Sequence, residues 1–160
     1  MYFQWSYYSQ RMNFHDMVRL THKCIQDGRI EYNRRKTGHR FSIPFTKPLQ
    51  EIAQQFPQGE SQYLFPILSD FHQTETQKQN RIHKCIGQYN KDLKKVAEIL
   101  DIPVEMTSYT ARYTFASTLY LNDFPVAHIS ELMGHANQEI TRKYLKDLGH
   151  NVLDNAHEVL

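Results

Sequence analysis

Apolar residues recur at helical spacing along most of this 160-residue chain. The strongest pattern predicts an amphipathic helix over residues 76–100, with apolar positions at Ile82, Ile86, Tyr89, Leu93, Val96 and Leu100. Weaker patterns predict helices over residues 47–55, 110–121, 125–133 and 137–146, and a short tail helix over residues 149–160. The aromatic start is typical of a helix interior. Asn13 is placed to cap a second helix that carries Phe14, Met17, Val18 and Leu20.

After Asp27–Gly28 the pattern changes to strict alternation. Ile30 and Tyr32 alternate with polar residues, and after a turn over residues 36–39 so do Phe41, Ile43 and Phe45. This pattern predicts a β-hairpin with Lys36 at or beside its tip. The sequence therefore predicts a mainly α fold with a small antiparallel β-sheet, an α+β class, in one domain over residues 1–160.

Proline and glycine mark the ends of one of these helices. Pro125 suits the first turn of the helix predicted over residues 125–133, and Gly134 suits the position just past its end.

Composition excludes several classes of protein. Hydrophobic residues make up 40% of the chain and charged residues 22%, which excludes a disordered tail, a collagen-like fibre and a coiled coil. No apolar run approaches the ~20 residues of a transmembrane helix, so no membrane partner is expected. Cys24 and Cys85 are too few for a disulfide scaffold, and a reducing cytoplasm is the expected location.

The net charge is only +2, but it is unevenly distributed. Residues 11–48 hold nine Lys or Arg and three acids, a charge of +6, while the remaining ten bases and fourteen acids give −4. A basic segment on a nearly neutral body favours a polyanionic partner such as DNA. A solvated hairpin would explain the same charge.

A metal site is one interpretation of the repeated tetrapeptide His-Lys-Cys-Ile, at residues 22–25 and 83–86. His83 and Cys85 lie two positions apart on the predicted long helix, about 200° around its axis, and so cannot face one ion. We expect no metal site and no cofactor.

A second interpretation concerns residues 118–145, where helix, break, helix, glycine turn and helix follow one another. This order is compatible with a helix-turn-helix that enters the major groove of DNA. It also occurs in helical bundles that bind nothing, so topology leaves both open.

The third pattern is more specific. It consists of Ser-Tyr-Thr-Ala-Arg-Tyr-Thr-Phe-Ala at residues 108–116, Leu-Met-Gly-His at 132–135, and Tyr144 nine residues after His135. Together these segments resemble the catalytic domain of tyrosine recombinases, the phage-integrase superfamily. That family combines a [His/Tyr]-x-x-Arg box, a Leu-Gly-His-like turn and a nucleophilic tyrosine, and it carries a lysine on a β-turn where this chain has Lys36. Each residue alone also has an ordinary structural explanation, but their order and spacing together favour the family.

The resemblance implies a role for each of these residues. Tyr144 would attack a DNA phosphodiester to give a 3′-phosphotyrosine and a free 5′-hydroxyl, and Arg112 would bind the charged phosphate oxygens. His135 would bond a phosphate oxygen or help manage the Tyr144 proton, and Lys36 would protonate the leaving 5′-oxygen. Tyr109 stands where histidine is commoner and would donate a hydrogen bond to phosphate.

The first catalytic arginine departs from the usual pattern. The family typically has Gly-x-Arg before Ser-[Glu/Asp]; aligned through Asp16, that arginine position falls on Asn13, and Arg11 lies two residues earlier. The stretch is similar to the Arg-Gly-Met-Ser-Phe version found in integrases of Bacteroides-type mobile elements. Arg11 is therefore the candidate for the first catalytic arginine, and a different residue in this role stays an alternative.

The resemblance also implies partners and a wider function. The expected partners are double-stranded DNA and, for the full-length protein, further copies that form a tetramer on paired sites; the expected outcome is integration or excision of a mobile element. Residues 1–160 would be a catalytic domain without the DNA-binding domain that normally precedes it, and residues 147–160 a tail that packs on a neighbouring subunit or folds back on its own. The alternatives are a non-enzymatic helix-turn-helix protein or inactive relic, and a type IB topoisomerase-like enzyme.

Overall fold

The computed structural model of the chain describes residues 1–57, 61–135 and 137–145. These fall into two compact units, Met1–Ala111 and Arg112–Leu160. In the described residues seven α-helices and one short 3-10 helix (His22–Cys24) accompany one three-stranded antiparallel sheet, which confirms the predicted fold class. No helix in this part of the chain has both the length and the apolar character that crossing a bilayer requires.

The aromatic start of the chain forms helix α1 (Tyr2–Tyr8) and lies in the core of the first unit. Trp5 is fully buried, with its ring 4.9 Å from that of Phe65 in an edge-to-face contact. Tyr2 stacks on Phe56 at 5.5 Å. Large aromatic side chains bury more apolar area than any other residues, so this helix anchors the unit.

Helix α2 (Phe14–Met17) begins at the predicted cap. The side chain of Asn13 accepts a hydrogen bond from the backbone N–H of Asp16 at 2.9 Å, which satisfies one of the free N–H groups of the first turn. The helix is shorter than predicted, because Leu20 lies beyond its end, although Leu20 is still buried.

The sheet has the order β1–β2–β3, with strands β1 (Ile25–Gln26), β2 (Arg29–Asn33) and β3 (Arg40–Pro44). In the hairpin β2–β3, Ile30 pairs with Ile43 and Tyr32 with Phe41, as the alternation predicts. Strand β1 was not predicted, since a two-residue strand shows no periodicity. Phe45 lies just past β3, where its N–H donates to the carbonyl of Gly28 at 2.8 Å.

Two helices complete the first unit, α3 (Lys47–Gln54) and α4 (Glu75–Ile99). Both were predicted to within about a residue. Helix α4 begins with a capping box, in which the Thr74 side chain accepts from the N–H of Gln77 and the Gln77 side chain accepts from the N–H of Thr74.

Helix α5 (Thr110–Leu121) begins in the first unit and continues into the second, where α6 (Val126–Leu132) and α7 (Gln138–Leu145) follow. The core of the second unit consists of Ala116, Ile129, Met133 and Leu145. Pro125 is the N-cap of α6 rather than a residue of its first turn, which corrects the prediction by one position. The predicted tail helix lies outside the described residues.

Candidate active site

The Tyr109–Arg112 box is held at the start of α5 by polar contacts. The backbone N–H of Ser108 donates to Oδ1 of Asn90 in α4 at 2.8 Å, and the N–H of Thr107 donates to the hydroxyl of Thr110 at 2.9 Å. The N–H of Tyr109 donates to the Thr107 hydroxyl at 3.2 Å. These bonds fix the backbone, and they leave the Tyr109 side chain half-exposed.

Arg112 is the third residue of α5, and its side chain is buried. The first turn of α5 contains no acidic residue. A cation there lies at the positive end of the helix dipole, which disfavours it electrostatically. A buried guanidinium in this position suits an incoming anion, since five N–H donors can bind phosphate oxygens in a bidentate way.

The Leu-Met-Gly-His turn positions His135. Gly134 adopts a left-handed backbone with φ of 55°, which glycine tolerates without strain, and this confirms the predicted end of α6. The N–H of His135 donates to the carbonyl of Ser130 at 3.0 Å. The imidazole Nδ1 lies 2.8 Å from the hydroxyl oxygen of Thr141, a fully buried residue of α7.

That contact links His135 to the helix that contains Tyr144. Tyr144 lies in α7, three residues after Thr141. The side chain of Tyr144 is outside the described part of the chain. In the second unit, then, the turn carrying His135 meets α7 one helical turn before the predicted nucleophile.

In the first unit, Arg11 is fully buried and follows α1. Gln10 and Arg11 have φ of 52° and 63°, a left-handed conformation that is uncommon for residues other than glycine. Such conformations cost on the order of 1–3 kcal/mol and persist where surrounding structure holds them, often at functional sites. The unusual backbone agrees with the departure of this stretch from the common family pattern.

Lys36 is exposed in the turn between β2 and β3. The turn is closed by backbone hydrogen bonds from Arg34 N–H to the His39 carbonyl at 2.8 Å, and from the N–H groups of Gly38 and Thr37 to the Arg34 carbonyl at 2.7 and 3.3 Å. The Arg34 guanidinium lies 4.7 Å above the ring of Phe41, a cation–π contact that supports the base of the turn.

The model of the phage integrase family matches residues 6–150 of the chain. The chain belongs to the phage integrase family. The match includes all six predicted site residues, while the similarity to Bacteroides-type elements stays a prediction.

Solved structures of family members have the same fold. XerH, a site-specific recombinase in a post-cleavage complex with its difH substrate, is 14% identical, with a TM-score of 0.66 over 97% of this chain and 44% of that one. XerA recombinase is 15% identical, with a TM-score of 0.63 over 94% and 54%. The Tn1549 transposon integrase, in complex with transposon right end DNA, is 16% identical, with a TM-score of 0.58 over 89% and 52%. The chain thus spans about half the length of these proteins. Comparison with curated protein sequences gives no significant match.

The predicted site residues of this integrase-family chain lie in both units. Arg11, Lys36 and Tyr109 belong to Met1–Ala111, and Arg112, His135 and Tyr144 to the second unit. In the described residues no group of three His, Cys, Asp or Glu side chains is arranged to hold a metal ion.

Sequence reasoning missed two positions that contact predicted site residues or their immediate neighbours. One is Thr141, the partner of the His135 ring, and its spacing of three residues from Tyr144 was a signal that could have identified it. The other is Glu75, which pairs with Arg35 beside Lys36 at 2.6 Å. No local pattern indicates that contact, because 40 positions separate the two residues.

Proposed function

We propose that this chain is the catalytic domain, residues 1–160, of a site-specific DNA recombinase that cleaves and rejoins strands through Tyr144. The observation that carries the proposal is the 2.8 Å contact between His135 Nδ1 and the Thr141 hydroxyl. It joins the Gly-His turn to α7, the helix that contains the predicted nucleophile.

In the proposed cleavage step, the Tyr144 phenol oxygen forms a bond to phosphorus and the bond from phosphorus to the 5′-oxygen breaks. A phenol has a pKa near ~10, so its proton must be removed as the oxygen attacks, and His135 is the proposed acceptor. The 3′-phosphotyrosyl link conserves the bond energy. A second 5′-hydroxyl can then displace Tyr144 and reseal the strand without ATP.

The charge that develops on the phosphate is met by guanidinium groups. Arg112 is already desolvated at the start of α5, so its N–H donors would act on phosphate oxygens with little competition from water. Arg11 is fully buried in the first unit and is proposed as the second guanidinium. Tyr109, which is half-exposed, would add a neutral hydrogen bond.

Lys36 is proposed as the general acid. Its ammonium group stands on an exposed turn and can give a proton to the departing 5′-oxygen. With a nucleophile, an acid and two phosphate-binding cations supplied by side chains, we propose that the reaction requires neither a metal ion nor another cofactor. Cleavage at an unchanged rate in excess EDTA would agree, and loss of cleavage that Mg²⁺ restores would contradict this.

The wider function rests on the same proposal. The partner is double-stranded DNA, and the full-length protein forms a tetramer on paired sites. The tail over residues 147–160, expected to pack on a neighbouring subunit or to fold back on its own, lies outside the described residues. The biological outcome is integration or excision of a mobile element, which takes place on DNA in the bacterial cytoplasm.

The direct test uses a duplex recombination site with a nick close to the cleavage position. Cleavage then releases a short 5′-hydroxyl fragment that diffuses away, and the covalent adduct accumulates because the strand cannot be rejoined. The wild-type chain should form the adduct and Tyr144→Phe should form none. Tyr8→Phe is the matched control, because Tyr8 is a half-exposed tyrosine of α1 outside the site. An adduct of undiminished yield in Tyr144→Phe would contradict the proposal. Relaxation of supercoiled DNA by the protein without paired recombination sites would instead favour a topoisomerase.

A further inference from the structure

The turn that carries Lys36 is tied to the rest of the first unit through its neighbour, Arg35. The backbone N–H of Arg35 donates to Oδ1 of Asp16 at 3.1 Å. The Arg35 guanidinium lies 2.6 Å from the carboxylate of Glu75, at the start of α4. Asp16 is itself buried and also accepts a bond from the Asn13 amide. Two carboxylates from two helices therefore hold the residue next to Lys36.

Glu75 is shared by three cations. Besides Arg35, the Arg19 guanidinium lies 3.3 Å from its carboxylate and the Lys78 ammonium 3.9 Å. Desolvation acts to raise the pKa of Glu75, but the charges of Arg35 and Arg19 outweigh it, and the pKa lies below the ordinary value. A lone exposed ion pair contributes little, whereas a network on one carboxylate, next to a part-buried hydrogen bond, holds its members in one geometry.

The place where these contacts hold Arg35 matters, because a general acid must come within about 2.6–3.2 Å of the oxygen that it protonates. Lys36 has a long, flexible side chain on an exposed turn, so the backbone beneath it decides where the ammonium can reach. The contacts of Arg35 with Asp16 in α2 and Glu75 in α4 therefore fix the backbone beneath Lys36 against two helices.

We infer that Glu75 is a positioning residue for proton transfer, which acts through Arg35 to hold the Lys36 turn in its working place. The inference rests on the proposed function, since it requires Lys36 to be the acid. It differs from a DNA-binding role, because removing an acidic charge near DNA would leave binding unchanged or strengthen it.

Cleavage of two substrates tests this inference with Glu75→Gln. One substrate has the ordinary 5′-oxygen at the cut, and the other has sulfur in the bridging position, which leaves as a thiolate and needs no proton. Glu75→Gln should cleave the oxygen substrate roughly two- to fivefold more slowly, the range expected from losing exposed ion pairs. It should cleave the sulfur substrate at the wild-type rate. Glu51→Gln is the control, because Glu51 is an exposed acid of α3 paired with Lys47 at 3.9 Å.

Each result decides the inference. An unchanged or faster rate on the oxygen substrate would overturn it, and so would an equal loss on both substrates, which indicates a merely structural role. Failure of the proposed function is distinguishable, because the wild-type chain would then form no adduct with either substrate. In that case amide hydrogen exchange still tests the tie: Glu75→Gln should speed exchange at Arg35 and Gly38 severalfold, Glu51→Gln should not, and unchanged exchange would overturn the inference.

Discussion

The ring of His135 and the hydroxyl of Thr141 are joined across the second unit, with 2.8 Å between Nδ1 and Oγ1. Thr141 is fully buried in α7, so its side chain has a fixed place from which to hold the imidazole. With Nδ1 engaged there, Nε2 at the opposite side of the ring is the atom that would face a phosphate or the Tyr144 phenol.

This relationship predicts a specific effect of Thr141→Val. Valine keeps the buried shape but removes the hydroxyl, so the His135 ring loses the partner that orients it. Because one hydrogen bond contributes about 1 kcal/mol, adduct formation should slow by roughly five- to tenfold. Thr141→Ser, which retains the hydroxyl, should stay close to the wild-type rate. Equal rates for the valine variant and the wild type, measured by single-turnover cleavage of the nicked site, would refute the role of this contact.

Arg112 should be sensitive to the shape of its cation as well as to its charge. Arg112→Lys keeps the charge but loses the planar fork that binds two phosphate oxygens, and we expect cleavage to fall on the order of 10²–10³-fold. DNA affinity, measured by fluorescence anisotropy at fixed salt, should change far less. Arg142→Lys is the control, since Arg142 is exposed on α7. A similar loss in both variants would argue against a catalytic role for Arg112.

Lys36→Ala should lose cleavage selectively, according to the leaving group. With ordinary DNA the 5′-oxygen departs unprotonated, and we expect a loss on the order of 10²-fold or more. With the sulfur-bridged substrate the rate should return to near that of the wild type. Lys84→Ala, at an exposed position of α4, should cleave both substrates normally. A loss in Lys36→Ala that sulfur does not restore would show that another group supplies the proton.

Acid should destabilise the fold through two surface carboxylates. A hydrogen bond from Arg40 lowers the pKa of Glu31 below its ordinary 4.5, and one from Lys94 does the same for Glu105. Groups with a lowered folded pKa stabilise the fold above the unfolded value, and this contribution is lost as pH falls through the folded value. The melting temperature should therefore decrease as the pH is lowered below about 4.5. The difference between the wild type and Glu31→Gln should close there as well, and a pH-independent difference would contradict this.

The sequence predicted those parts of the fold that depend on local periodicity. Alternation identified the hairpin around Lys36, and Gly134 marked the end of α6 because its positive φ favours glycine. Strand β1 was missed, since two residues form it only by pairing with β2. The helix at Asn13 ended earlier than predicted, at Met17.

For the site, Arg112, His135 and Tyr144 were selected through the resemblance of three segments of the chain to the tyrosine-recombinase pattern. The contacts around these predicted residues were not predictable. Thr141 and Glu75 make tertiary contacts, and such contacts follow from packing rather than from any pattern of neighbouring residues.

The most direct measurement is the identity of the amino acid that becomes linked to DNA. The trapped adduct can be digested with trypsin and nuclease, and the modified peptide sequenced by mass spectrometry. Trypsin cleaves after Lys143 and after Lys146 and so releases the tripeptide Tyr144–Lys146. We predict that the tyrosine of this tripeptide is linked to the 3′-phosphate of a nucleotide. A nucleotide linked to any other residue, or linked to Tyr144 through its 5′-phosphate, would contradict the proposed cleavage by Tyr144.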